Sequence, residues 1–80
     1  MKTYARTVVS HLADKYEGAS KKRTVDRIFY VFPSATAAAN FTKELNAELG
    51  TSIKPNNEYA LVKATDLAAV GHQVNFGGWA

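Results

Sequence analysis

The clearest hydrophobic pattern in the chain lies between Val25 and Gly50, where a continuous apolar run is followed by a periodic one. The run from Val25 to Phe32 is rich in β-branched and aromatic residues, which are typical of a strand. Beyond Arg27 both faces of this strand are apolar. The pattern predicts a strand that is either covered on both sides or covered on one side and presented to a partner on the other. Pro33 should end the strand, because proline cannot donate to the hydrogen bonds of a sheet.

The next segment predicts a helix from Ala35 to Leu49. Ser34 can cap its first turn by accepting from a free backbone N–H group. Gly50 stands where the end of a helix favours a left-handed residue. The apolar residues of this segment recur at helical spacing and predict the stripe that faces the core: Ala38, Phe41, Leu45 and Leu49.

Residues 4–16 are predicted to form a second helix, which packs against the first two elements. Their apolar side chains fall on one helical stripe: Tyr4, Ala5, Val8, Val9, Leu12, Ala13 and Tyr16. The β-branched run Thr7-Val8-Val9 favours a strand instead, and this alternative stays open. We prefer the helix because the periodicity covers the whole segment.

The chain after Gly50 predicts a further strand over Tyr59–Lys63. If this strand pairs in parallel with residues 25–32, the helix between them is the crossover of a right-handed βαβ unit. Residues 51–54 could add a short edge strand, with a hairpin turn at residues 55–57. The segment from Asp66 to about Gly71 is predicted to form a short helix. The alternation of Val70, His72, Val74 and Phe76 favours a strand there instead.

These elements together predict a single α+β domain over residues 1–80. We expect a small two-layer domain, with an N-terminal helix, then a β-α-β unit with a short sheet, and an irregular or short-helical C-terminal tail. A chain of 80 residues buries only about 60% of the surface that its unfolded form exposes, so one small core is all that it can build.

The charge is concentrated in the first third of the chain. Residues 1–27 carry seven cations and three carboxylates, or +4, and residues 28–80 carry three lysines and four carboxylates, or −1, which sum to the net +3. Residues 17–23 read as a polar connection. Its basic triplet, Lys21, Lys22 and Arg23, is shorter than the runs that mark nucleic-acid patches, so we favour a solvated loop. Together with Arg27, the same triplet is the candidate nucleic-acid site.

The sequence contains no recognisable catalytic or metal-binding motif. His11 and His72 are far apart, and neither has a second ligand at a metal-binding spacing. Nucleophile elbows, dinucleotide and nucleotide loops and calcium loops are all missing. We therefore expect a non-enzymatic protein with no cofactor, metal or small-molecule ligand. The lack of cysteine and of a long apolar segment suggests a cytoplasmic protein that does not associate with membranes.

Two segments partly resemble the aromatic motifs of RNA-recognition motifs. Residues 28–32 are similar to the first motif, and residues 57–64 match the second at Tyr59, Ala60 and Val62 only. The basic-Gly pair that opens the second motif is missing, and the chain after Tyr59 is short for the remaining elements of that fold. The chain is therefore not assigned to this family.

The aromatic residues provide the remaining indication of function. Nine rings are many for so small a domain, and some should lie on a sheet face that meets a partner. We expect a protein–protein interaction module: a small adaptor, inhibitor or subunit, such as a compact accessory protein from a phage or mobile element. The expected partner-binding residues are Phe29, Val31 and Trp79, and the open sheet face suggests self-association as a homodimer. The alternative is a nucleic-acid-binding protein that uses the basic N-terminal third.

Overall fold

A computed structural model describes residues 4–72 and 74, which form a three-stranded antiparallel sheet with helices packed on one face. The predicted α+β class is confirmed. In chain order the elements are α1 (Tyr4–Ala13), β1 (Ser20–Arg23), β2 (Arg27–Val31), α2 (Ala35–Leu49), β3 (Tyr59–Lys63) and α3 (Ala64–Ala68).

The central strand of the sheet is β2, which pairs antiparallel with both β1 and β3. The parallel pairing considered for β2 and β3 is therefore wrong, and α2 is not a right-handed crossover. The reason lies in the connection after α2. This helix moves the chain about 22 Å, and residues 50–58 are long enough, at about 30 Å, to bring it back. The return places Glu58 next to the end of β2, where its carbonyl accepts from the Phe32 N–H at 2.8 Å.

Hydrogen bonds from one side chain of α2 hold this returning segment. The Asn46 amide group donates to the Ile53 carbonyl at 2.8 Å and accepts from the Ile53 N–H at 2.9 Å. The Thr51 hydroxyl donates to the same amide oxygen at 2.6 Å. Residues 51–54 are thus bound to the helix and do not form the edge strand that the sequence suggested. Instead of a hairpin at residues 55–57, the structure has one isolated bridge between Asn56 and Tyr59.

The segment predicted as a basic loop contains strand β1. All four of its residues, Ser20 to Arg23, are exposed, so no apolar alternation marks it in the sequence. Pairing with β2 creates the strand, through a tight turn closed by the Thr24 N–H donating to the Arg27 carbonyl at 2.9 Å. Val25 lies in this turn and is 64% exposed, which is why β2 begins at Arg27.

The helix α2 confirms the capping and the core stripe predicted for it. The Ser34 hydroxyl accepts from the Ala37 N–H at 3.1 Å, and Gly50 ends the helix in the left-handed region with φ of 76°. The predicted stripe is buried against the inner face of the sheet. The described core consists of Ala5, Val9, Ala13, Ile28, Tyr30, Phe32, Ala37, Ala38, Phe41, Leu45, Leu49, Ile53, Ala60, Val62 and Leu67.

The two remaining helices lie at the ends of the described chain. The helical interpretation of the N-terminal segment is confirmed by α1, which ends at Ala13. The C-terminal helix α3 begins two residues before the predicted Asp66 and ends at Ala68, and the chain then turns up to Gly71. The start is early because the Ala64 N–H donates to the Asp26 carbonyl at 2.7 Å and closes the end of β3. Phe76 and Trp79 lie outside the described residues.

Candidate functional site

The sheet has a second face, which no described element covers. Alternation along each strand points one set of side chains at the helices and the other set away from them. Cross-strand register places the outward set together, because residues directly opposite in an antiparallel pair share a face. This outer face consists of Ser20, Lys22, Arg27, Phe29, Val31, Tyr59, Leu61 and Lys63.

The centre of the outer face is apolar and aromatic. Phe29 on β2 and Tyr59 on β3 occupy diagonal positions, with ring centroids 5.4 Å apart and ring planes 32° apart. Leu61 lies opposite Phe29, and Val31 lies opposite Tyr59. Tyr59 is 42% exposed and the other three side chains are half-buried. The two rings therefore form one continuous aromatic surface that solvent can reach.

Cations border this aromatic centre. Lys22 lies opposite Phe29 on the β1 side, and Arg27 lies opposite Lys63 at one end of the strands. A groove of about 240 Å³ between β1 and β2 has Lys22 on its wall. None of the outer-face residues defined above is acidic. Like charges directly opposite one another destabilise a sheet, so the Arg27–Lys63 pair favours an anion between them.

One carboxylate partly neutralises this border. Asp26 forms an exposed ion pair with Arg27, with 3.1 Å between Oδ2 and the guanidinium Nη2. Hydrogen bonds from Arg27 first, and from the Thr24 hydroxyl second, lower the pKa of Asp26. Within the described part of the chain, Lys22 and Lys63 have no ion pair and no side-chain hydrogen bond. Lys22 and Lys63 are thus the two cations of the outer face whose charge is not shared with a carboxylate of the described chain.

The structure brings together residues that the sequence assigned to two separate sites. Phe29 and Val31, predicted to bind a protein partner, share the outer face with Lys22 and Arg27, predicted to bind nucleic acid. Lys21 and Arg23 alternate to the opposite face, where they pair in register with Tyr30 and Ile28. The third predicted partner-binding residue, Trp79, lies outside the described residues.

Three residues of the outer face were not predicted as site residues. Tyr59, Leu61 and Lys63 follow one another at every second position of a strand that the sequence did predict. That alternation was a usable signal. The sequence does not predict the register of this strand with β2, because the hydrophobic pattern shows neither the direction of the pairing nor the return path of the chain.

The inner face of the sheet contains a buried polar group, the Tyr30 hydroxyl, which does not belong to the outer face. A cavity of about 310 Å³ lies between the end of α1 and β1, lined by Asp14, Tyr16, Lys21 and Tyr30 among others. Tyr30 is buried, and its hydroxyl makes no hydrogen bond within the described chain. Burial raises the pKa of this phenol. The group is neutral at physiological pH and offers no charge for catalysis.

The helical side of the molecule carries ordinary surface chemistry. Lys15 and Glu44 form an exposed ion pair at 3.2 Å, next to Tyr16. Burial, followed by the nearby Glu44 carboxylate, raises the pKa of Tyr16. The described residues contain no group of three or more side chains that could hold a metal ion.

Comparison with protein-family models, with characterised proteins and with solved structures finds no match to this chain. Among residues 4–72 and 74, no helix has the length and apolar content needed to cross a membrane. The geometry of the outer face is therefore the basis for assigning a function to the chain.

Proposed function

We propose that this protein is a small, non-enzymatic nucleic-acid-binding module and that the outer face is its binding surface. The observation that supports the proposal most strongly is the composition of this face, where exposed aromatic surface lies among three cations, of which one, Arg27, is paired with Asp26. Phosphates are neutralised by Lys and Arg, and bases have flat faces that stack on rings. A nucleic acid supplies both kinds of group within one nucleotide.

The charge distribution favours a polyanion over a second copy of the chain. Face-to-face docking of two outer faces would enclose two copies of Lys22, Arg27 and Lys63 in one interface, and none of the outer-face residues is a carboxylate that could pair with them. Such like-charge contacts oppose association unless the register separates them. Homodimerisation through this face, which the sequence also suggested, is therefore the less favoured arrangement.

An acidic protein surface is the second candidate partner. Val31 and Leu61 add aliphatic area beside the rings, and aliphatic side chains are more suited to a protein contact than to a base. This candidate keeps the interaction-module prediction from the sequence. Nucleic acid ranks first because the largest exposed apolar groups of the face are rings, and the flat faces of bases stack on rings.

The proposal predicts salt-dependent binding that needs the outer-face lysines. With three cations in contact, the logarithm of the association constant should fall with the logarithm of salt concentration with a slope of about −2 for a single strand. In the double variant Lys22→Gln/Lys63→Gln only Arg27 remains, and the slope should fall to about −0.7. Fluorescence anisotropy with labelled DNA and RNA oligonucleotides at several salt concentrations measures both values.

The matched control removes the same amount of charge from the helical side. Lys15→Gln/Lys43→Gln changes two exposed lysines on or near the helices. It should leave the slope at about −2. Equal loss of binding in both double variants would show that net charge alone drives association and would contradict a site on the outer face.

A further inference from the structure

We infer that the outer face selects single-stranded nucleic acid, by stacking unpaired bases on Phe29 and Tyr59. This inference rests on the proposed function and identifies its ligand more closely. The two rings are the central feature of the face, and together they present an aromatic surface across β2 and β3. A ring can stack on a base only if the base is exposed, as it is in a single strand.

The geometry of the outer face is unsuited to reading a duplex. Base edges in a duplex are reached by an α-helix or a two-stranded β-ribbon that enters the major groove. Phe29 instead lies on the central strand and Tyr59 on the neighbouring edge strand, with Lys22 opposite Phe29 and with Arg27 and Lys63 at one end of the strands. These rings face outward from a broad surface and do not form an edge that could insert into a groove.

The number of cations also decides between the two ligands. A duplex-binding protein that depends on phosphates makes about 6–10 such contacts. The outer face has three cations, and Arg27 shares its charge with Asp26. Phosphate contacts alone are therefore too few to hold a duplex at physiological salt. Base stacking, which single strands permit, supplies the missing affinity.

The position of the cations fits a strand that crosses the rings. Arg27 lies two residues from Phe29 on β2, and Lys63 lies opposite Arg27 on β3, which places both about 7 Å along the strands from Phe29 and about 13 Å from Tyr59. Lys22 flanks Phe29 from β1. Bases stacked on the rings would thus have phosphates within reach of cations on two sides.

The test compares single-stranded and duplex probes on ring variants. Twelve-nucleotide oligo-dT and oligo-U, and a DNA hairpin duplex of equal charge, are titrated by anisotropy at one salt concentration. We expect the single strands to bind at least about 10-fold more tightly than the duplex. Phe29→Leu and Tyr59→Leu should each weaken single-strand binding by about 5- to 150-fold, the range for loss of one stacked base.

Conservative variants separate stacking from folding. Phe29→Tyr and Tyr59→Phe keep a ring at each position and should bind within about 3-fold of the parent. Val25→Thr changes an exposed apolar residue outside the outer face and should do the same. Urea unfolding curves of each variant show that the fold is retained, and the Tyr and Phe variants test the inference even if a Leu variant unfolds.

The outcomes distinguish this inference from the proposed function. Duplex binding as tight as single-strand binding, lost in Lys22→Gln/Lys63→Gln but kept in the ring variants, would overturn the inference, because phosphate contacts on the outer face would then hold the ligand without stacking. The proposed function would then still stand. No binding to any oligonucleotide, with ring-dependent binding to poly-glutamate, would overturn both and indicate an acidic protein partner.

Discussion

Tyr30 is the core residue whose hydrogen-bonding group is left without a partner in the described chain. This group, the side-chain hydroxyl, is buried. Burial raises its pKa, the Asp14 carboxylate adds to this rise, and Arg23 opposes it. The rings of Phe32 and Phe41 pack on Tyr30 and hold it in the core, with centroids 5.7 Å and 5.2 Å away. The ring thus stabilises the fold while the hydroxyl does not.

This residue makes the unfolding free energy depend on alkaline pH. The tyrosine pKa in the unfolded chain is about 10, and it is higher in the folded chain. Above pH 10 the unfolded form releases a proton that the folded form keeps, so stability is full below this pH and falls as pH rises, by up to about 1.4 kcal/mol per pH unit.

Comparing Tyr30→Phe with the parent isolates this effect from the other titrating groups. We expect the variant to be as stable as the parent, or up to about 1–2 kcal/mol more stable, at pH 8, because it removes an unsatisfied buried hydroxyl. Its stability should fall less steeply between pH 9 and pH 11. Urea unfolding at each pH measures both effects. A variant that is clearly less stable at pH 8 would mean that the hydroxyl has a hydrogen-bond partner in solution.

At the scale of elements, α2 determines the direction of β3. The Asn46 side chain fixes the returning segment through its bonds to Thr51 and Ile53. Because Ile53 is buried, its backbone groups lose their partners if this side chain is removed. The antiparallel pairing of β2 and β3 thus depends on a polar residue of the helix, as well as on the apolar stripe.

Asn46→Ala should therefore lower the unfolding free energy by about 1–3 kcal/mol, the cost of leaving buried backbone groups unpaired. The control is Asn40→Ala, since Asn40 is an exposed asparagine on the same helix. It should change stability by less than about 0.5 kcal/mol. Chemical denaturation of both variants tests the claim, and equal effects of the two substitutions would refute a special role for Asn46.

The elements also show where sequence reasoning succeeds and fails. The stripe through Phe41 and Leu45 was readable because periodic burial dictates it. Strand β1 was not readable, because an exposed edge strand of polar residues has no alternation and is defined by its partner. Only part of the outer face could be predicted, because its composition also depends on how the strands pair. Phe29 follows from its own strand, whereas its neighbour Tyr59 depends on a register set by distant residues.

At the scale of the whole molecule, the two faces of the sheet differ in burial. The inner face and the helices contain the fully buried side chains that stabilise the fold. The outer face contains half-buried and exposed groups, and its substitution should affect binding more than folding. The net charge of +3 is small, so its placement beside the rings matters more than its size.

Binding of nucleic acid to the outer face can be observed by NMR of the aromatic rings. In a titration with single-stranded oligo-dT, the ¹H–¹³C signals of Phe29 and Tyr59 should shift strongly. The rings of Tyr30, Phe32 and Phe41 are buried on the opposite face and serve as internal controls, whose signals should move little. Ring signals of Phe29 and Tyr59 that stay fixed while the oligonucleotide binds, or that move no more than those of the buried rings, would contradict a binding site on the outer face.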